Sequence, residues 1–196
     1  MENEVTAVRS EPTQRMPRAQ RREQILAAAT RAFAGGGFAN TGLDAIAAEA
    51  GVTPVILYRH FASKADLYRE VLESANSRLR EATGTEDFDD ATILALIRAA
   101  AADPDAFRLL FRYAAREPEF RDMADTLIDA ATEITSRQLP SIIGSDQWRS
   151  WAARLLPTLI IDAVIAWLDA GQPDPDQAAV RIRLVVDAVI EAAAAH

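Results

Sequence analysis

The sequence predicts an all-α protein, on three observations. Alanine, the strongest helix former, supplies 40 of 196 residues. Runs of β-branched residues are rare, and prolines and glycines cluster between long stretches instead of recurring every ten residues. A mass of 21.4 kDa suits one or two domains, and 49% hydrophobic with 26% charged residues is a globular balance that excludes a disordered chain.

The elements follow in order. Residues 1–17 mix charge, Ser, Thr and Pro without periodicity and read as a flexible basic arm. Pro17 suits a first helical turn, and Ile25, Ala29 and Phe33 recur every four residues as one apolar stripe. Gly35-Gly36-Gly37 ends that helix. Thr41 is expected to cap the next helix, with Asp44 completing a capping box; Leu43, Ile46, Ala47 and Ala50 share its inner face. Gly51 stops it. Thr53 then caps and Pro54 opens a very short helix over 54–60. Ser63 and Asp66 start a helix over 64–80, with Leu67, Val71 and Ala75 on one face.

A stretch rich in Thr, Gly and Asp over 83–90 marks a domain boundary. Beyond it, helices are expected near 91–102, 105–116 and 119–139, flanked by Pro104, Pro118 and Pro140. A long helix over 146–170 carries Trp148, Trp151, Leu155, Leu159 and Trp167, with Pro157 expected to kink it. Gly171 and the Pro173-Asp174-Pro175 turn lead to a last helix over 176–194. The total is about nine helices.

Several functions are excluded. There are no cysteines, and the histidines are His60 and His196 alone, so disulfides, thiolate chemistry and multi-histidine metal sites are ruled out and no cofactor is expected. No nucleophile–base pair or glycine-rich phosphate loop points to an enzyme. No apolar run approaches the roughly 20 residues of a membrane span, and the N-terminus lacks the apolar core of a signal peptide. The expectation is a cytoplasmic protein.

The net charge of −8 counts against nucleic acid as a partner until it is divided. Residues 1–80 hold 11 Arg+Lys against 9 Asp+Glu, whereas 81–196 hold 10 against 20. Arg9, Arg15, Arg18, Arg21 and Arg22 crowd the arm and first helix. The arm reads either as a phosphate-contacting element or as a solvated tail.

Two short helices joined by a tight glycine turn form a helix-turn-helix, here over about 42–61, whose second helix can enter a major groove about 12 Å wide. Leu57 and Phe61 face inward, and Tyr58, Arg59 and His60 project from the other sides. Singly, Tyr58 reads as a half-buried aromatic and His60 as a surface histidine; together on one short helix they read as a DNA-facing set.

At this point the stretch 22–71 resembles the DNA-binding domain of the TetR family of bacterial transcriptional regulators. The resemblance rests on Ile25-Leu26-Ala27-Ala28-Ala29, Phe33, Gly37-Phe38 and Ile46-Ala47-Ala48-Glu49-Ala50-Gly51-Val52-Thr53. It continues through Leu57-Tyr58-Arg59-His60-Phe61, Lys64 and Leu67. It covers about 50 residues; the remaining chain matches in helicity and length only. It implies a DNA-binding domain over 18–82 and a ligand-binding and dimerisation domain over 83–196. It also implies a homodimer on a near-palindromic operator, usually a repressor, released by a small apolar or amphipathic effector.

The resemblance also assigns roles by position. Tyr58, His60 and Lys64 match phosphate contacts, as do Thr53 and the Thr41-Gly42 helix start. Pro54, Val55, Ile56 and Arg59 fall where bases are read. Arg59 can reach a guanine edge or a phosphate, and the base is the contact expected. Gly42 departs from the usual hydroxyl residue, Val55 from Gly or Ala, and Ile56 from Thr, Ser or Ala. The more apolar surface is expected to favour thymine methyls.

The acidic C-terminal part is expected to pair and to sense. Its last two long helices have apolar faces too wide for one neighbouring layer, which suits an intermolecular four-helix bundle of the kind the family uses. Phe107, Leu110, Phe111, Met123, Leu127, Trp151 and Leu155 are the candidate lining of an effector pocket, with Thr158 and Asp162 as polar contacts. A buried Asp162 needs a partner such as Arg112, Arg116 or a cationic ligand. The competing reading is a helical ligand-binding or adaptor protein with a non-functional DNA domain.

Overall fold

The computed structural model describes residues 16–84, 90–139 and 142–195. The arm up to residue 15, with Arg9 and Arg15, lies outside the described residues, as do Pro140, His196 and most of the 83–90 stretch. The fold is all-α: nine α-helices are present among the described residues.

Helix α1 (Arg18–Asn40) breaks at Gly37, which leaves helical geometry (φ 74°), so the triple glycine interrupts it as expected and a short second segment continues across the kink to Asn40. Thr41 does not cap the next helix. Its hydroxyl lies 2.7 Å from the Gly37 carbonyl and 3.2 Å from that of Ala32, and the residue is buried. Gly42 occupies the N-cap of α2 (Leu43–Glu49) and offers no side chain for the task. Gly36 makes this arrangement possible, since a Cβ there would sit 2.7 Å from the Thr41 Oγ1.

The turn after α2 is a Schellman closure around Gly51 (φ 61°): Val52 N–H donates to the Ala47 carbonyl and Gly51 N–H to that of Ala48. Thr53 Oγ1 then accepts from Ile56 N at 3.4 Å and starts α3 (Pro54–Tyr58), two residues shorter than expected. Ser63 Oγ accepts from Asp66 N at 3.0 Å and starts α4 (Lys64–Thr83).

The C-terminal part holds α5 (Asp90–Ala102), α6 (Pro104–Arg108), α7 (Arg121–Gln138), α8 (Asp146–Asp169) and α9 (Pro175–Ala194). The single helix expected over 105–116 changes winding. After α6 the chain widens into a π turn (Leu109–Tyr113) and tightens into a 3-10 turn (Ala114–Arg116).

The core does not respect the 83–90 break. One cluster joins Phe33, Leu57, Leu67 and Tyr68 to Leu109, Leu110 and Phe120. A second lies between α5, α8 and α9, and a third joins Ala152, Ala153 and Leu156 of α8 to Ala193 of α9. Helix α8 also corrects the expectation about apolar runs. It is 24 residues long, with an 18-residue window of mean hydropathy 1.6, so by length and composition alone it passes for a membrane span. Its inward side is packed into these clusters, which is the behaviour of a core helix.

Candidate nucleic-acid interface

The short helix α3 is held from beneath and open above. Leu57 and Phe61 are buried in the first core, as their four-residue spacing predicts. On the other side Val55 is 61% exposed and Tyr58 56% exposed. Thr53, Pro54, Arg59 and Gly42 are exposed too, Ile56 and His60 are half-buried, and Thr41 is buried. Gly42, Thr53, Pro54, Val55, Tyr58 and Arg59 of the candidate set therefore face solvent, Ile56, His60 and Lys64 do so in part, and the Thr41 hydroxyl is committed to backbone carbonyls.

Two polar ties hold α2, the partner helix of α3, against α1. Gln24 Nε2 donates to the Ala50 carbonyl at 2.8 Å, and Arg31 pairs with Glu49 at 2.9 Å, both joining α1 to the end of α2. Gln24 carries no sequence signal for this role, since its acceptor is 26 residues away.

The arginines ahead of the motif divide by task. Arg22 pairs with Glu70 and stacks 5.1 Å from the Phe61 ring centroid, so its charge ties α1 to α4. Arg21 donates to Gln24 at 2.8 Å. Arg18 and Arg59 have no ion pair among the described residues. These cations bear on His60. Its pKa lies below the ordinary 6.5, first through burial and then through the charges of Arg18, Arg22 and Arg21. A phosphate placed here would meet a concentrated positive field.

Lys64 is less free than its sequence position suggests. Its Nζ donates to the Phe38 carbonyl at 2.8 Å and the Ala39 carbonyl at 3.3 Å, and lies 4.6 Å from the Phe38 ring centroid. It satisfies orphan carbonyls at the end of α1.

In the C-terminal part, a cavity of about 140 Å³ lies between α4, α5, the π turn, α7 and α8. Of the nine candidate lining residues, it brings together Phe111 and Leu127. Phe107 and Leu110 are buried against another wall, between α4 and α5, and Met123 is half-buried on the first core. Helix α8 presents a different face from the one expected. Pro157, Ile160 and Ile161 face the cavity, whereas Trp151, Thr158 and Asp162 are exposed and Leu155 is half-buried. Asp162 is not buried and needs no partner; Arg112 instead pairs with Asp169 at 2.9 Å. The carboxyl of Asp169 is held below its usual range, foremost by its hydrogen bond from Arg108 and also by Arg112.

Asn76 on α4 also lines the cavity. Its signal was present in the sequence, as a polar residue four positions from Leu72 and three from Leu79 within an apolar stripe.

Comparison with known proteins agrees with this geometry. Residues 25–71 match the family model described as bacterial regulatory proteins, tetR family. The HTH-type transcriptional activator FasR of Mycolicibacterium smegmatis is 29% identical over 175 residues, 84% of this chain and 80% of the relative. The HTH-type transcriptional regulator AcrR of Shigella flexneri is 42% identical over 60 residues, 31% of this chain and 28% of the relative. A TetR-like transcriptional regulator from Rhodococcus sp. RHA1 superposes with a TM-score of 0.74 at 24% identity, covering 86% of this chain and 94% of that one.

Proposed function

This chain belongs to the TetR family of bacterial regulatory proteins, and we propose that it regulates transcription in the cytoplasm as a homodimer whose two α3 helices read an operator. The observation that carries the reading is the exposed surface from Thr53 to Arg59, capped at its start and seated on Leu57 and Phe61. A surface-exposed valine beside a tyrosine and an unpaired arginine has no role in the monomer's core. It suits a groove in which Val55 and Ile56 meet thymine methyls and Arg59 meets a base edge.

Phosphates are held by Tyr58, His60, Thr53 and the α2 start at Gly42, with Lys64 contributing the donor it has left. Thr41 acts from below, by holding that helix start in place. The free N–H groups at the start of α2 add to this anion site.

Pairing uses α8 and α9. Five of the nine large exposed apolar side chains among the described residues lie there: Trp148, Trp151, Val180, Leu184 and Val185. Two copies of this pair form a four-helix bundle and remove those residues from water. The dimer spaces two recognition helices about 34 Å apart.

The cavity beside α4 takes a small effector. The effector favours a second arrangement with the wrong spacing, and its leverage equals its differential affinity for the two states. In the family's usual mode the bound dimer represses and the effector releases it. The similarity to FasR, described as an activator, favours a second reading in which the same dimer recruits rather than blocks. A reporter driven by the chain's own upstream region separates them: deletion of the gene raises expression for a repressor and lowers it for an activator. DNA binding itself is tested by gel shift on that region. A folded dimer that fails to bind at low salt would leave the adaptor reading in its place.

A further inference from the structure

A second space lies on the far side of Ile160. It measures about 350 Å³ and is bounded by α5, α7, α8 and α9. Ile160 walls both this space and the smaller cavity beside α4, so its side chain stands between them. The inner walls are aliphatic and buried: Ile93, Leu139, Leu156 and Ile160. Val186 and Ile190 of α9 continue them, half-buried. Among the described residues no aromatic side chain lines the space, so nothing there stacks on a ring, and the walls suit an alkyl chain. Ligand pockets begin at about 300 Å³, and an apolar space of about 150 Å³ already holds benzene, so there is room for roughly a dozen heavy atoms.

The solvent side of this space is polar. Arg183 and Asp187, one turn apart on α9, both line it, and Arg183 Nε donates to Asp187 Oδ1 at 2.9 Å. Their side chains are 42% and 44% exposed, so solvent or a ligand reaches both. Gln138, exposed, and Thr135, half-buried, complete that side from α7. A charged head placed here meets one like and one opposite charge, and gains little Coulomb energy for the hydration it gives up. A hydroxyl gives up less, and it brings the donor that the Asp187 carboxylate accepts.

We propose that this space is a second ligand site, for a medium-chain aliphatic alcohol. The alkyl chain lies against Ile93, Leu156, Ile160 and Ile190, and the hydroxyl donates to the Asp187 carboxylate. The site stands independently of the effector reading of the cavity beside α4. Its position gives it a different lever. Helix α9 carries Arg183, Val186, Asp187 and Ile190 on the cavity side and the exposed Val180, Leu184 and Val185 on the side left open. The ligand therefore bears on the two helices proposed to pair, and this lever rests on that pairing.

The test is calorimetric titration of the full-length protein with 1-octanol, octanoate and octylammonium, and with 1-butanol and 1-hexanol for chain length. Octanol is expected to bind about tenfold more tightly than either ion. Affinity is expected to rise about fourfold per CH₂ from butanol to octanol. Ile190→Trp, at a half-buried wall, is expected to abolish octanol binding. Leu127→Trp, which fills the cavity beside α4 instead, is expected to leave it within about twofold. Asp187→Asn removes the like charge, so octanoate is expected to bind that variant at least as tightly as octanol does. No octanol binding, octanol no tighter than either ion in the unaltered protein, or binding lost in Leu127→Trp and kept in Ile190→Trp overturns the proposal. The unaltered protein's ranking decides alone if the variants misfold. Sedimentation equilibrium with and without octanol reads the lever, and a shifted dimerisation constant is expected. A dimer whose constant octanol leaves unchanged removes the lever; a chain that stays monomeric sinks the pairing reading and leaves the site.

Discussion

The ring of Tyr68 on α4 packs 4.6 Å, centroid to centroid, from Phe120, the residue that immediately precedes α7. Phe120 also meets Phe38, at 5.0 Å, and Tyr68 meets Phe33, at 4.8 Å. Four rings thus join α1 and α4 to the helix whose Leu127 and Ile134 line the cavity. Arg69 adds a contact on the same side, 5.8 Å above the Phe120 ring and 3.7 Å from Glu119. A displacement of α7 by a ligand would be felt at α4 through this cluster, because packed rings cannot be compressed.

Removal of one ring tests that coupling. Phe120→Ala is expected to destabilise the fold by about 3–5 kcal/mol in urea unfolding, as expected for a buried aromatic. Phe120→Leu is the milder variant and is expected to keep DNA binding while weakening its response to ligand. An undiminished response in a folded Phe120→Leu protein would remove the cluster from the mechanism.

The hydroxyl of Tyr68 behaves differently from its ring. It is buried without a partner among the described residues, and burial, followed by the charge of Glu117, pushes its pKa up to about 12. Its proton therefore stays on throughout the physiological range. Tyr68→Phe is expected to leave the melting temperature unchanged or higher, since an unpaired polar group is removed from the interior. A marked fall would reveal a hydrogen bond for that hydroxyl.

Gly36 and Thr41 form a second testable pair. Gly36→Ala places a Cβ 2.7 Å from Thr41 Oγ1. The hydroxyl must move away from the Gly37 carbonyl, with an expected loss of about 1–3 kcal/mol in urea unfolding. DNA affinity is expected to fall as well, because the displaced segment begins α2. A stable, fully binding Gly36→Ala protein would show that the Thr41 anchor does not hold the start of α2 in place.

His60 predicts a pH dependence with a worked sign. Its folded pKa lies below 6.5, so the unfolded chain takes up a proton first. The stability it contributes is complete above pH 6.5 and is lost as pH falls through the folded value. Phosphate beside the ring acts in the opposite sense and raises the pKa in the complex. DNA affinity is therefore expected to rise as pH falls from about 8 to about 6, and His60→Gln is expected to flatten that rise. Equal slopes for the two proteins would place His60 away from the phosphates.

Much of the helix-turn-helix was legible because its signals are local. Thr53-Pro54, Gly51 and Ser63 each act within a few residues, and α3 and α4 begin where they indicate. Thr41 misled for the opposite reason. A Thr two residues before a helix looks like a cap, and its true acceptors, at Ala32 and Gly37, depend on how α1 ends. Lys64 likewise found its carbonyls 25 and 26 residues back. The face of α8 was not legible at all. That helix is apolar nearly all round, so periodicity offers two stripes and cannot choose between them. Packing turned Leu156, Pro157, Ile160 and Val164 inward and left Trp151, Thr158 and Asp162 outside. The outward tryptophans belong to the surface proposed for the second subunit.

The most direct test of α3 as the reading helix is selection of binding sites from a random duplex pool with the full-length protein, followed by gel shift with Tyr58→Ala and Arg59→Ala. The predicted result is an enriched site with two inverted half-sites centred about one helical turn apart. Tyr58→Ala, exposed and so without effect on stability beyond about 0.5 kcal/mol, is predicted to weaken binding to all sequences alike. Arg59→Ala is predicted to relax selection at one position by about 1–3 kcal/mol. A folded dimer that enriches no sequence, or binding untouched by either substitution, would contradict the assignment of α3 as the reading helix.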